Sequence, residues 1–301
     1  MKNKYQRMIV LMRQILTKMR VPFYLHDKSN HIFTIHQHVI MLVLRQYESK
    51  SYESFVEWLQ VSDQIVQMLG LKTIPHCTTL QKAASRLSEI LLHIAIGRFI
   101  GMVSPGRIFA GADATGFEDG HAASYYTYRC SIRHSCTKLS AGSDMVTQLV
   151  IAVVIRHNTV SHKIRYFPQL LEQMISFARP WIFVLDAGYD AEWVHQSIRD
   201  HDMLSMIPVR KREDCPVRRT QGRYRKQMRR SFNDTLYHQR NKCETIFSVI
   251  KRRFGSEIMA QNESMMTKEL LYRVLAYNCH RMCRISFLLR MVSMQPYSQQ
   301  I

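Results

Sequence analysis

Negative charge is scarce in this chain. Only 23 Asp and Glu stand against 42 Lys and Arg in 301 residues, a formal charge of +19 with a sequence pI near 9.9. Such a balance points to a polyanionic partner, for which membrane surfaces and nucleic acid both qualify. Long apolar runs are missing as well. The best uncharged stretch, Met145–Ile155, falls well short of the roughly 20 residues a spanning helix needs and reads as a strand. The opening MKNKYQRMIVLMRQ has basic residues but only five apolar ones in a row before Arg13, too few for a signal peptide. Cysteine forms no framework either. Cys77, Cys130, Cys136, Cys215, Cys243, Cys279 and Cys283 are odd in number and scattered, which speaks against disulfides. Cys279 and Cys283, with His280 between them, could touch one metal, but no second Cys/His pair stands at structural-zinc spacing, so reduced and packed thiols are expected. There is no internal repeat and no low-complexity block. What remains is a chain long enough for one or two domains, expected to be soluble, cytoplasmic and nucleoid-associated, with nucleic acid rather than membrane as its partner.

Residues 1–104 read as almost wholly helical. Tyr5–Met19, Thr34–Glu48, Tyr52–Leu59, Val61–Leu71 and Thr79–Ile100 carry apolar residues at helical spacing, with Thr78 or Thr79 as the N-cap of the longest. A balance of 13 Lys and Arg against 6 Asp and Glu over residues 1–106 suits a DNA-binding helical module, although a plain helical bundle has the same pattern. Ser104-Pro105-Gly106 breaks the chain, and the hydrophobic period changes beyond it. Strands are expected at Arg107–Ala112, Tyr125–Cys130, Met145–Arg156, Lys163–Tyr166, Trp181–Leu185 and Leu204–Val209, with a turn at His157-Asn158. Helices are expected at Gln169–Phe177 and Ala191–Asp200. The order predicts an α/β arrangement with a mixed sheet, ribonuclease-H-like in outline, over residues 105–291, then a short frayed tail at 292–301.

The densest charge run lies between Arg210 and Arg230, where ten of 21 residues are Lys or Arg and two are acidic. It shows no apolar periodicity and reads as a loop. Its position invites contact with a phosphate backbone through Arg210, Lys211, Arg212, Arg223, Arg225, Lys226, Arg229 and Arg230. Directly after it comes Tyr237–Lys251. Placed on one helix, Tyr237, Arg240, Glu244 and Lys251 share a face about 60° wide beside a buried stripe of Leu236, Cys243, Phe247, Ile250 and Phe254. Ser264–Met291 reads as one or two further helices.

Two carboxylates close apolar strands: Asp113 in GADATGF and Asp186 in FVLDAGYD. Strand ends facing loops are where α/β sheets build sites. Two carboxylates on adjacent strand ends need a cation between them, and Mg²⁺ prefers oxygen ligands. Glu244, from a facing helix, would be the third ligand, and such a set can hold two ions about 3.5–4 Å apart for phosphodiester chemistry. Tyr237, Arg240 and Lys251 would then face phosphates, Arg240 as a bidentate donor. An Asp before a turn Gly is also ordinary turn chemistry, the reading given to Asp119 and Asp190.

The spacing Tyr237-x2-Arg240-x3-Glu244-x6-Lys251, with Asp113 in DATGF and Asp186 in LDAGYD, resembles the DDE transposases of bacterial and archaeal insertion sequences that carry a Y-x2-R-x3-E-x6-K motif. The likeness covers about residues 105–290, and Ile74–Ser88 also resembles the helical segment preceding the catalytic domain there. It implies that Asp113, Asp186 and Glu244 are catalytic and bind two Mg²⁺ or Mn²⁺ ions. It further implies that water cuts the element end and that the freed 3′-hydroxyl attacks target DNA. Tyr237, Arg240 and Lys251 would touch the strand near the cut, and the N-terminal helices would recognise terminal inverted repeats. Homodimers or larger assemblies on double-stranded DNA are implied too. Asp186 and Glu244 are 58 positions apart, which leaves no room for a large β-rich insertion. Two alternatives stay open: a ribonuclease-H-like nuclease that stops after hydrolysis, and a non-catalytic DNA-binding protein of transposon origin.

Overall fold

The structure, a computed structural model, describes residues 3–25, 28, 30–103, 106–119, 136–157, 163–210 and 216–293, of which 119, 163 and 286–293 as backbone only. The expected strand Tyr125–Cys130, residue Asn158 of the expected turn and the tail from residue 294 lie outside the described residues. Two compact units emerge. One comprises the residues up to Ala95 together with those from Tyr272 onward, and the other is Ile96–Leu271.

The first unit holds α1 (Lys4–Lys18), α2 (Ile35–Tyr47), α3 (Tyr52–Gln60), α4 (Asp63–Leu69), α5 (Cys77–Arg86), most of α6 (Glu89–Arg98) and the larger part of α12 (Glu263–Ser293). Local chemistry starts and stops these helices. Thr34 and Gln37 form a reciprocal capping box on α2, Ser51 caps α3, and Gly70 ends α4 at a left-handed φ of 67°. Met8, Ile9, Met12, Val39, Leu42, Phe55, Leu59, Leu80 and Ala84 are buried and form the core of this unit. The expected helix Thr79–Ile100 is two helices. Leu87 adopts an extended backbone (φ −63°, ψ 135°) with its side chain buried, so both neighbouring helices keep their apolar faces inward. The N-cap of α5 is His76, whose Nδ1 accepts from the Thr78 N–H, rather than Thr78 or Thr79. The unit boundary also departs from 1–104 and 105–291, because the second part of α12 packs with N-terminal helices. Buried Tyr272 lies within electrostatic reach of Tyr52 and Arg45, Tyr47 Oη is 3.4 Å from His280 Nδ1, and Arg7 donates to the Cys283 carbonyl.

The second unit contains β1 (Arg107–Asp119), β2 (Cys136–Asp144), β3 (Val150–Arg156), α7 (Phe167–Phe177), β4 (Arg179–Val184), α8 (Glu192–Arg199), β5 (Leu204–Met206), α9 (Arg223–Arg230), α10 (Asp234–His238), α11 (Asn241–Phe254) and β6 (Glu257–Ile258). The sheet runs in the order β3-β2-β1-β4-β5, with β6 beside the far end of β1. β1–β2 and β2–β3 are antiparallel, whereas β1–β4 and β4–β5 are parallel. This is the ribonuclease-H-like mixed sheet, and a helical region precedes it. Helices cover both faces. On one, Met174 of α7 fills the space a Cβ would take at Gly142. On the other, Cys243 of α11 joins Phe109, Met145, Ile182, Val184, Met206 and Met228 in a buried cluster.

Several local expectations change. β2, spelled CTKLSAGSD, has no apolar alternation, yet Thr137, Ser140 and Ser143 are buried, because packing on both faces of the sheet covers this strand. The expected strand Lys163–Tyr166 is a 3-10 turn leading into α7, whose Pro168 favours a helix start. The strand expected from Met145 begins only at Val150. Asp144 ties off the preceding turn by accepting from the Thr147 N–H and hydroxyl, and Gln148 takes a left-handed φ of 59°. The strand expected over Leu204–Val209 closes at Met206. The basic run Arg210–Arg230, expected as a loop, contains the 3-10 turn Val217–Arg219 and helix α9, whose Met228 is buried in the cluster above.

Candidate active site

β1 places the first carboxylate. Its odd-numbered residues, Phe109, Gly111, Asp113 and Phe117, point to the face that α11 covers. The parallel register with β4 ends at Gly111↔Val184. Asp113 lies two residues past Gly111 on β1, and Asp186 lies two residues past Val184, at the cap of the turn that follows β4. Asp113 does not end its strand, however, because β1 continues to Asp119 alongside β2 and β6. Asp119, expected in a turn, is part of this extension and pairs with Ile258.

Asp113 and Asp186 each accept one local backbone N–H, from Ala114 (2.8 Å) and Gly188 (2.9 Å) respectively. Tyr189 is buried near both. Burial raises its phenol far above the ordinary value, and the charges of Asp113 and Asp186, then Cys243, push in the same direction.

Glu244 arrives from the helix side. Tyr237–Lys251 is two helices rather than one. At the junction the hydrogen bonds tighten to i→i−3: Gln239 N–H to Leu236 O, Arg240 N–H to Tyr237 O, Lys242 N–H to Gln239 O and Cys243 N–H to Arg240 O. Three residues per turn eclipse positions i and i+3, which brings Arg240 and Tyr237 within electrostatic reach of each other. Beyond the junction α11 is regular, and Arg240 Nη2 donates to Glu244 Oε1 at 2.5 Å, with i,i+4 spacing. The same guanidinium donates through Nη1 to Asp113 Oδ2 at 3.2 Å. Burial opposes the charge on Arg240, but Asp113, Tyr237, Glu244 and Asp186 outweigh it and raise its pKa. Burial raises the Tyr237 phenol as well, with Asp186 and Asp113 adding to the rise and Arg240 opposing it.

Asp113, Asp186, Tyr237, Arg240 and Glu244 therefore share one electrostatic neighbourhood. The carboxylates do not meet as a single ligand group: among the described residues no three His, Cys, Asp or Glu side chains stand close enough to hold a metal ion. Like charges cannot approach without a cation between them, and here the guanidinium of Arg240 takes that place between Asp113 and Glu244. Three carboxylates make an all-oxygen donor set, so the residues fit a hard divalent cation such as Mg²⁺ or Mn²⁺ by their chemistry. Lys251 stands apart from them. Its ammonium lies 5.3 Å from the Phe117 ring centroid, roughly 10 Å farther along α11 than Glu244.

The basic residues divide. Lys211 and Arg212 lie outside the described residues. Arg223 and Arg230 are exposed on α9, and Lys226 is half-buried there. Arg229 donates to Thr220 Oγ1, and Arg210 donates through Nε to the Ala187 carbonyl. Arg225, expected to offer its charge to DNA, is committed internally: its fork grips Asp190 at 2.6 and 2.8 Å, and Asp190 raises its pKa. Asp190, expected to be a turn residue, is thus the buried half of an ion pair whose Arg225 side is partly exposed. Sequence reasoning also passed over Glu192, whose carboxylate accepts the Tyr224 and Arg225 N–H groups at the start of α9. The available signal was proximity, since Asp190 and Glu192 follow Asp186 within six residues.

Two solved structures resemble the chain distantly. The piggyBac transposase synaptic complex with hairpin DNA is 10% identical over 97% of this chain and 80% of that one, with a TM-score of 0.42. The pre-cleavage Mos1 transpososome is 12% identical over 99% of this chain and 100% of that one, with a TM-score of 0.24. No curated protein matches. The family comparison reaches further. The transposase DDE domain model matches residues 106–279, more than half of the chain, a span that begins just before β1 and takes in Asp113, Asp186, Arg240 and Glu244. The chain belongs to the transposase DDE domain family.

Proposed function

We propose that this protein is a DNA transposase of the insertion-sequence type, which cuts element ends and joins the freed 3′-hydroxyl to target DNA. The observation that carries the reading is that Asp113 on β1 and Asp186 just past β4 each lie two residues beyond Gly111↔Val184, the last pair of one parallel register. The tie from Asp113 through Arg240 to Glu244 supports it. Asp113, Asp186 and Glu244 would hold two Mg²⁺ or Mn²⁺ ions, which when bound activate the attacking oxygen and stabilise the leaving oxygen of a phosphodiester.

The other roles fall to the chain's own side chains. Arg240 keeps Asp113 and Glu244 together and offers a planar fork suited to phosphate. Tyr237, within electrostatic reach of Arg240, would stand beside that fork at the strand. Lys251, with Arg223, Lys226 and Arg230 on α9, would follow the strand away from the cut. Lys211 and Arg212 extend the same basic run, whereas Arg210 and Arg229 would reach phosphate while keeping their present partners. The helical unit would recognise terminal inverted repeats, and two or more copies would act on paired ends, at the nucleoid. Among the described residues no helix is long and apolar enough to cross a membrane.

The test uses a duplex carrying the element's own terminal repeats, Mg²⁺ and a target plasmid. Wild-type protein is expected to nick the ends and to form joined product. Asp186→Ala is expected to bind the ends and make neither product. Cutting by Asp186→Ala would remove Asp186 from the site, and cutting without joining by the wild type would reassign the protein as a nuclease.

A further inference from the structure

We infer that Asp190 is a positioning residue for Asp186, acting through a clamp that it forms with Arg225 and Arg210. The inference rests on the proposed role of Asp186 as a cation ligand.

Asp186 stands beyond the end of its strand, because β4 closes at Val184. One residue earlier the Leu185 N–H donates across to the Met206 carbonyl of β5. The 3-10 turn Ala187–Tyr189 aims Asp186, its capping residue, which accepts the Gly188 N–H. A single short turn is a weak anchor, since its hydrogen-bond geometry is poor. This turn is held from outside. Arg225 donates to Asp190 Oδ1 through Nε at 2.6 Å and to Oδ2 through Nη2 at 2.8 Å. The Arg210 N–H donates to Asp190 Oδ2 at 3.0 Å, and Arg210 Nε donates to the Ala187 carbonyl at 2.9 Å. Both ends of the turn next to Asp186 are therefore tied to the basic segment.

The Asp190 side chain is 1% exposed and that of Arg225 24%, so the pair is less screened by salt than a fully exposed one. A two-point fork also fixes orientation, which a single contact does not. Arg225 in turn sits at the start of α9, where its N–H and that of Tyr224 donate to Glu192. The loop from Asp186 to Glu192 and helix α9 thus hold each other at three points. A purely structural pair would stabilise α9 and leave the carboxylate of Asp186 indifferent. The ties to Ala187 and Asp190 place the restraint on the turn that aims Asp186.

Outer residues that orient metal ligands are typically worth about 10–100-fold in metal affinity. The experiment titrates Mn²⁺ alone into the full chain and reads free Mn²⁺ by electron paramagnetic resonance. It compares wild type, Asp190→Asn, Asp186→Asn and the double variant, with melting temperatures recorded for each. Asp190→Asn is expected to weaken Mn²⁺ binding about tenfold in the wild-type background and to have no effect once Asp186 is Asn. Because Asp190→Asn strands the charge of Arg225, the neutral pair Asp190→Asn with Arg225→Gln is measured alongside. It is expected to melt near the wild type and to show the same loss of affinity. Equal losses with Asp186 present or absent, or wild-type affinity in the neutral pair, would overturn the inference. Wild-type affinity in Asp186→Asn would show instead that the ligand role itself is wrong.

Discussion

At Gly111 an added Cβ would stand 2.9 Å from Met145 Sδ and 3.2 Å from Cys243 Sγ. The glycine lets α11 lie against β1 closely enough for Arg240 to reach Asp113. Gly111→Ala is expected to destabilise the protein by about 1–3 kcal/mol in urea unfolding, through overpacking under α11. The same change at Gly116 meets Cys136 at an ordinary 3.8 Å and is expected to be neutral or mildly stabilising. Arg240 is a second residue where one atom group serves two partners. Arg240→Ala is expected to lower end cutting by about 100-fold while the thermal transition survives, as for other groups that meet developing charge. Loss of the folded transition would mean that the guanidinium serves the fold instead. Asp144 shows the limit of reading single residues. Like Asp113 it is an Asp of the sheet, yet it is spent on the turn at Thr147 and on the Phe109 N–H. An aspartate in a sheet becomes a site candidate only in the company of others.

Helix α9 is held by features that no hydrophobic pattern displays. Gly222, just before it, has φ +94°, and a Cβ there would collide with the Glu192 carboxylate. Gly222→Ala is expected to cost roughly 1–3 kcal/mol and to raise amide exchange along α9. Exchange unchanged from wild type would refute the link to Glu192. Buried His195, beside Ser205 at 2.8 Å, gives a test in pH. Burial lowers its pKa to about 4, while Arg199 and Arg225 also lower it and Glu192 and Asp190 oppose them. The unfolded chain takes up a proton near the ordinary 6.5, before the folded one does. This contribution to stability is therefore whole above pH 6.5 and declines as pH falls toward 4. His195→Gln is expected to flatten the fall of the urea midpoint over that window. At this scale the sequence was partly legible. Helices with continuous apolar faces and the apolar strand β4 stand near their expected places, because their periodicity and their burial agree. β2 was missed because a doubly covered strand of small polar residues has no alternation to read. α9 was missed because charge hides its inward residues, and the Tyr237–Lys251 helix divides because a tightened turn leaves no mark in composition. The Arg240–Glu244 pair was legible from its i,i+4 spacing, but the bond from Arg240 to Asp113 was not, since hydrophobic pattern says nothing about which strand a helix end approaches.

For the molecule as a whole, the charge of +19 is an expectation about salt. Each phosphate that the protein no longer neutralises should reduce the slope of log affinity against log salt by about 0.9 on duplex DNA. Replacing Arg223, Lys226 and Arg230 by Gln is expected to flatten that slope, measured by fluorescence anisotropy. Arg225→Gln should instead lower the melting temperature, since its fork is turned inward on Asp190. An unchanged slope in the triple variant would remove α9 from the DNA-contacting surface. The architecture also bears on how the protein comes to be folded at all. The helical unit is discontinuous, since it needs residues from Tyr272 onward to close over Tyr52 and Arg45. During synthesis its first six helices must wait, incomplete, while the entire sheet-bearing unit is translated. A message cut short before codon 272 would therefore yield a polypeptide with every carboxylate of the site and no finished N-terminal unit.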